Sequence, residues 1–348
     1  MQGGVTGRAA GDVTGWEPDV LPGYQQRTIA LGADPAGEGD IVATLIRRGP
    51  RQAGRETAPA VLAVHGYTDY FFHTELADHF AARGFVFYAL DLHKCGRSRR
   101  DGQTPHFITD LTNYEAELDQ ALAIVAAHGP VLVYAHSAGG LIASLWLDRL
   151  RRRNPGAHAG VGGLVLNSPF LELPGPAVVR HSVTVALIAG LSRVRSKGVA
   201  RAPGEGGYGT TLHRDYGGEF DYNLQWKPVG GFPITFGWLH AVRHGQARLH
   251  RGLDVGVPNL ILRSDHSVRE GPDSASMQCG DAVLDVTQIA RWAGCVGNRT
   301  TVVPVADAKH DVFLSLPGPR EVAYQELDLW LDGYLRTNDD ASASLRKG

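Results

Sequence analysis

Ser137 stands in the run Ala135-His136-Ser137-Ala138-Gly139, directly after Val131-Leu132-Val133-Tyr134 and directly before Gly140-Leu141-Ile142-Ala143. The pattern is strand, tight turn, helix. Small residues two before and two after the serine let the strand and helix backbones pass close together, and the turn lifts the serine above the sheet edge in a strained conformation. At a helix N-terminus the free N–H groups and the dipole favour a developing anion. The chemistry open to such a serine is nucleophilic attack on an acyl carbon. The segment has the glycine spacing of neither a dinucleotide loop nor a P-loop, which excludes phosphate cradling.

A serine nucleophile needs a base, a group that orients the base, and donors for the oxyanion. The donors are expected at Val64-His65-Gly66-Tyr67, after the first buried apolar run. Backbone N–H groups of Tyr67 and Ala138 would hold the oxyanion, with Gly66 allowing close backbone approach. His65 reads as a structural residue that holds this loop. The base is expected at His310, in the loop after the last strand, in the chain order Ser, acid, His. Asp311 beside it reads as structural. The acid should follow the run Leu260-Ile261-Leu262, where Asp265, Asp273, Asp281 and Asp285 lie. Asp285 is well placed to cap the helix after it. Asp281 is therefore the expected acid, with Asp265 at the strand end as its rival and Glu172 as a more distant alternative.

These groups need a scaffold that brings distant loops to one edge. Short apolar runs of the kind buried on both faces recur at 61–64, 85–90, 131–134, 164–166, 260–262 and 301–303. Helical patterns lie at 74–83, 111–128, 138–153 and 320–335, and the alternation predicts a mostly parallel α/β sheet flanked by helices. Residues 26–31 and 41–47 read as an antiparallel pair at one edge. The alternation breaks after the strand near 163–167 and resumes at the strand near 259–263. The expected organisation is a core of residues 16–169 and 257–337, an inserted cap of 170–256, and loose tails at 1–15 and 338–348. Tyr208, His213, Phe220, Trp226 and Trp238 mark the cap. Trp226 and Trp238, with His136, are the expected substrate contacts. His240 and His244 are spaced i,i+4 without a further ligand set, so no metal is expected.

The 348 residues are 43% hydrophobic and 20% charged, with a formal net charge of −2. That is a globular composition without the basic stripe of a nucleic-acid binder. Arg151, Arg152 and Arg153 suit a helix C-terminus. Cys95, Cys279 and Cys295 are scattered and odd in number, which fits a reducing compartment better than a disulfide framework. The N-terminal residues carry no apolar signal core, and the longest apolar stretch, 183–191, is too short to span a bilayer. The expectation is a cytoplasmic protein without stable membrane insertion.

The residues quoted above, together with Tyr88-Ala-Leu-Asp-Leu-His-Lys-Cys-Gly-Arg-Ser98, resemble the α/β-hydrolases of the monoacylglycerol lipase, lysophospholipase and serine-aminopeptidase-like branch. The second piece looks like the Asp-x-(Arg/His)-x-x-Gly-x-Ser turn of that branch. The resemblance covers roughly residues 20–335, the cap only loosely, and it departs at Ala135, where the pattern has Gly, and at an insertion of residues 267–280 before Asp281. It implies a Ser137-Asp281-His310 triad, no cofactor, and esters of fatty or other acyl groups as small-molecule substrates (monoacylglycerol- or lysophospholipid-like or other small to medium acyl esters), cleaved through an acyl-enzyme. Acyl transfer or amide cleavage by the same groups remains an alternative, as does a ligand-binding protein on this fold.

Overall fold

The computed structural model describes residues 15–49, 58–269 and 274–345. Eleven strands are found among them: β1 (Glu17–Pro18), β2 (Tyr24–Ala33), β3 (Asp40–Arg48), β4 (Ala60–Val64), β5 (Val86–Asp91), β6 (Val131–His136), β7 (Val161–Asn167), β8 (Val199–Arg201), β9 (Ile234–Thr235), β10 (Asn259–Ser264) and β11 (Thr300–Val305). The helices are α1 (Thr74–Ala82), α2 (Glu115–Val125), α3 (Ala138–Arg153), α4 (Pro155–His158), α5 (Ser182–Val194), α6 (Phe236–Leu249), α7 (Ser274–Met277), α8 (Val286–Trp292) and α9 (Pro317–Leu345).

Nine strands form one sheet in the order β1-β2-β3-β5-β4-β6-β7-β10-β11. The pairs from β5 through β4, β6, β7 and β10 to β11 are parallel, and β1, β2 and β3 add an antiparallel edge. Each parallel step needs a crossover, which α1, α2, α3, the segment between β7 and β10 that holds α5 and α6, and α8 supply. Every residue of β4, β5 and β6 is buried, because helices cover both faces. On one face Leu62, Val64 and Val133 pack with Leu118 of α2 and Leu141, Leu145 and Trp146 of α3. On the other, Val61, Phe87 and Leu132 pack with Phe80 of α1 and Leu327 of α9. This period of two inside continuous apolar runs is what a doubly covered sheet requires.

Two helical patterns differ most from their expected bounds. The pattern at 111–128 divides into a 3₁₀ turn, Leu111–Tyr114, and α2, because the Asp110 carboxylate accepts from Thr112 N–H and starts a tighter turn there. The last helix runs on to Leu345 rather than ending near Leu335. The residues after Leu335 are mostly polar and carry no apolar period from which a helix can be read. Residues 1–14 and 346–348 of the expected tails, and the candidate Asp273, lie outside the described residues.

The segment expected to form the cap lies between β7 and β10. It holds α5, the small antiparallel pair β8–β9, a 3₁₀ turn at Tyr208–Thr211, and α6. Gly245 of α6 packs onto the core, where a Cβ would stand 2.7 Å from Leu111 and 2.9 Å from Leu145. Among the described residues no helix is long and apolar enough to cross a membrane.

Candidate active site

Ser137 is the one residue between β6 and α3, and its φ of 51° is positive. A non-glycine side chain in that region is strained, and the surroundings must hold it there. They do so by close approach. A Cβ on Gly139 would stand 2.3 Å from the His65 carbonyl oxygen and 2.9 Å from that of Val64, and one on Gly66 would stand 3.0 Å from the Ser137 Cβ. The start of α3 and the end of β4 thus touch through backbone. Ala135, fully buried in β6 between Val64 and Leu166, is accommodated with its methyl.

His310 follows β11. Its Nε2 lies 3.0 Å from Ser137 Oγ and its Nδ1 lies 2.9 Å from Asp281 Oδ2. An ionised carboxylate only accepts, so Nδ1 carries the proton and Nε2 presents its lone pair to the serine hydroxyl. Asp281 is fully buried, and its other oxygen accepts from the N–H groups of Val283 and Leu284, each at 2.8 Å. The insertion before Asp281 closes on itself at its base: Asp281 N–H donates to the His266 carbonyl, and Val268 N–H donates to the Asp281 carbonyl. That pinch returns the chain to the end of β10, which is why an acid so far along the sequence reaches His310.

The other carboxylates have separate employment. Asp265 is exposed, contacts His266 and accepts from Asp307 N–H. Asp285 caps α8 through Thr287 N–H. Glu172 is buried in an ion pair with Arg243. His65 accepts from Leu92 N–H at Nε2 and faces the Gly66 carbonyl at Nδ1, 2.7 Å away, which holds the loop after β4.

Around Ser137 is a cavity of about 430 Å³. Its apolar wall includes Phe170, Leu173, Ile188, Ile234, Trp238 and Leu239, and Tyr67, Ala138, His136 and His310 also border it. Trp238 stands between Tyr67 (ring centroids 4.1 Å apart) and Phe170 (6.2 Å). Trp226, expected on this wall, is not part of it. Its ring packs edge-on against Tyr70 at 5.1 Å and lies under the Arg97 guanidinium, where it belongs to a small core between cap and sheet. His136 is buried beside His310, with ring centroids 4.9 Å apart. Burial lowers its pKa.

Residues 55–266 match the family model described as Hydrolase_4, serine aminopeptidase S33. The chain belongs to this family. Solved structures agree on the fold of this S33-family chain. A soluble variant of the monoglyceride lipase from Saccharomyces cerevisiae, in complex with a substrate analogue, matches with a TM-score of 0.60 at 16% identity, over 89% of this chain and 96% of that one. The monoacylglycerol lipase of Paleococcus ferrophilus matches with a TM-score of 0.56 at 19% identity, over 80% and 96%. Mouse alpha/beta hydrolase domain-containing protein 10 matches with a TM-score of 0.51 at 14% identity, over 84% and 95%. No curated protein sequence matches the chain. The α/β-hydrolase fold is therefore the architecture of this S33-family member.

Sequence reading missed several contacts around the candidate site of this S33-family chain. The loop after β4 is tied to the cap residue by residue: the Tyr67 hydroxyl donates to the Pro233 carbonyl (2.7 Å), Thr68 Oγ1 accepts from Phe232 N–H (3.0 Å), Lys227 Nζ pairs with Asp69 (2.7 Å), and the Tyr70 hydroxyl accepts from Asn223 N–H (2.7 Å). Tyr208 of the cap presents an edge to the His310 ring and accepts from Asp311 N–H. Tyr67 and Tyr208 stand out in the sequence, but nothing local marks these contacts, because each joins segments far apart in the chain. His240 and His244 gather no third ligand among the described residues. The one group there with metal-ligand spacing is the exposed set Asp265, His266 and Asp307.

Proposed function

We propose that the chain is a serine-dependent carboxylic-ester hydrolase acting on small to medium acyl esters, monoacylglycerol-like esters included. The observation that carries this reading is the line Ser137 Oγ, His310 Nε2, His310 Nδ1, Asp281 Oδ2, with spacings of 3.0 and 2.9 Å, opening on a largely apolar cavity. A nucleophile, its base and the base's orienting acid at hydrogen-bond distance are the arrangement acyl transfer needs.

In the proposed reaction Ser137 Oγ attacks the acyl carbon while its proton passes to His310 Nε2. The carbonyl oxygen takes the negative charge and accepts hydrogen bonds from the N–H groups of Tyr67 and Ala138, donors that contribute roughly 3–4 kcal/mol each to such transition states. Collapse breaks the bond to the alcohol, which leaves with the His310 proton. A water then gives its proton to His310 and attacks the acyl-enzyme. The acid departs and Ser137 regains its proton. Asp281 keeps the imidazole in the required tautomer and stabilises its cation. Residues of this chain carry every step, and the reading calls for no cofactor. Compartment enters the proposal only as the cytoplasm expected from cysteine usage.

Fluorophosphonate labelling and turnover of short and medium p-nitrophenyl esters test the reading. Labelling should vanish in Ser137→Ala, and turnover should be lost in Ser137→Ala and His310→Ala. A folded wild type that neither labels nor turns over would overturn it in favour of a binding protein. Turnover that appears only with a competing alcohol or amide would redirect it to transfer or amide cleavage.

A further inference from the structure

Asn167 is the last residue of β7, and it lies in register with His136 on β6 and with Leu262 on β10. It is fully buried and does not border the cavity, so no substrate touches it. Its main-chain carbonyl accepts the Ser137 N–H at 2.9 Å and faces His136 Nδ1 at 3.1 Å. Its side chain reaches the other way. Nδ2 donates to Asp311 Oδ1 (2.6 Å) and to the Tyr134 hydroxyl (2.9 Å), and Oδ1 accepts from Val312 N–H (3.2 Å). Both amide protons and the amide oxygen are therefore engaged. One residue thus holds the serine turn by its backbone and the two residues after His310 by its side chain.

The consequence is geometric. Ser137 and His310 sit on loops from different strands, and the 3.0 Å between Oγ and Nε2 is only as well defined as the link between those loops. On the histidine side, Asp311 spends Oδ1 on Asn167 and on the Phe313 N–H (3.0 Å), which fixes the turn that begins at Val312. On the serine side, Phe170 N–H donates back to the Ser137 carbonyl at 2.9 Å, which closes the chain after β7 onto the same turn. We propose that Asn167 is a positioning residue that sets the distance between Ser137 and His310 by clamping the Asp311 loop to the serine turn. The proposal rests on the hydrolase reading above.

A reciprocal exchange tests it. Asn167→Ala removes the clamp. Asn167→Asp keeps the shape but turns a donor into an oxygen facing the Asp311 carboxylate. Asn167→Asp combined with Asp311→Asn restores a donor and an acceptor across the same gap and keeps an acceptor for the Val312 N–H, while the Phe313 N–H, which shares Asp311 Oδ1 with Asn167, loses its acceptor. Burst titration with a p-nitrophenyl ester counts competent sites, and turnover is then expressed per titrated site. Both single variants should turn over slower per titrated site, by about 10²-fold for a displacement near 1 Å, with KM little changed. The exchange should recover part of the loss relative to Asn167→Asp alone. A merely structural role would lower the number of titrated sites, or the melting temperature, and leave turnover per site at the wild-type value. That result overturns the proposal, as does an exchange variant no faster than Asn167→Asp alone. A wild type without burst or turnover would instead refute the hydrolase reading, which separates the two failures.

Discussion

The Lys227 ammonium, carried by the cap, lies 2.7 Å from the Asp69 carboxylate of the loop after β4, and both side chains are buried. Burial pushes the Asp69 carboxyl up, but Lys227, with His136 and His65 nearby, outweighs it and holds the pKa down to about 2 from 3.8. The faces of Phe72 and Tyr222 flank the same ammonium at 5.6 and 5.8 Å. Removing one partner of such a pair leaves an uncompensated buried charge and costs ~3–5 kcal/mol. Lys227→Met should therefore lower the melting temperature and the esterase rate together. Adding Asp69→Asn should return much of both. Because the folded pKa is depressed, the pair's contribution is fully present above pH 3.8 and fades as pH falls through about 2. Thermal melts of wild type and double variant from neutral pH to pH 2 should converge at the acid end.

Asp281 and Asp265 differ in what they touch, so their amides should differ in effect. Asp281→Asn keeps the shape but gives His310 Nδ1 a donor to meet, which favours the tautomer with the proton on Nε2. The expected loss in kcat is on the order of 10⁴-fold. Asp265→Asn, at an exposed carboxylate that pairs with His266 and the Asp307 N–H, should stay within a few-fold of wild type. Steady-state kinetics on one ester decides it, and equal losses would return the acid role to Asp265.

Ile188 reaches the cavity from α5 and is only 9% exposed. Ile188→Trp should fill part of the apolar wall. Long acyl esters should then lose kcat/KM by roughly 10-fold or more while acetyl esters keep theirs, since one methylene in an apolar pocket discriminates by ~1–3 kcal/mol. A p-nitrophenyl series from two to twelve carbons reads this directly, and a uniform loss across the series would place the acyl group elsewhere.

Gly139→Ala should be poorly tolerated. The new methyl would meet the His65 and Val64 carbonyl oxygens at 2.3 and 2.9 Å, and both belong to backbone. The loop that offers the Tyr67 N–H must then shift, at a cost of ~1–3 kcal/mol or more. Soluble yield, melting temperature and fluorophosphonate labelling rate should all fall. Ala135→Gly, by contrast, should leave labelling near wild type, since that position already holds a methyl without strain.

What the sequence determined by itself was local. The Ser137 turn, the loop at His65 to Tyr67 and the strand–helix alternation are short-range patterns, in which steric demands of adjacent backbone select the residues. They were enough to read the mostly parallel sheet and to put Ser137 and His310 forward as candidates. The tertiary structure alone decided which carboxylate faces His310, because the pinch of Asp281 against His266 and Val268 joins the two ends of an insertion with no period to read. It alone took Trp226 off the cavity wall and brought Asn167, Lys227 and Tyr208 to the site. Those contacts join residues separated by more than a hundred positions, as Asn167 and Asp311 are. A hydrogen bond across that distance is fixed by strand order and loop closure, which no run of neighbouring residues encodes.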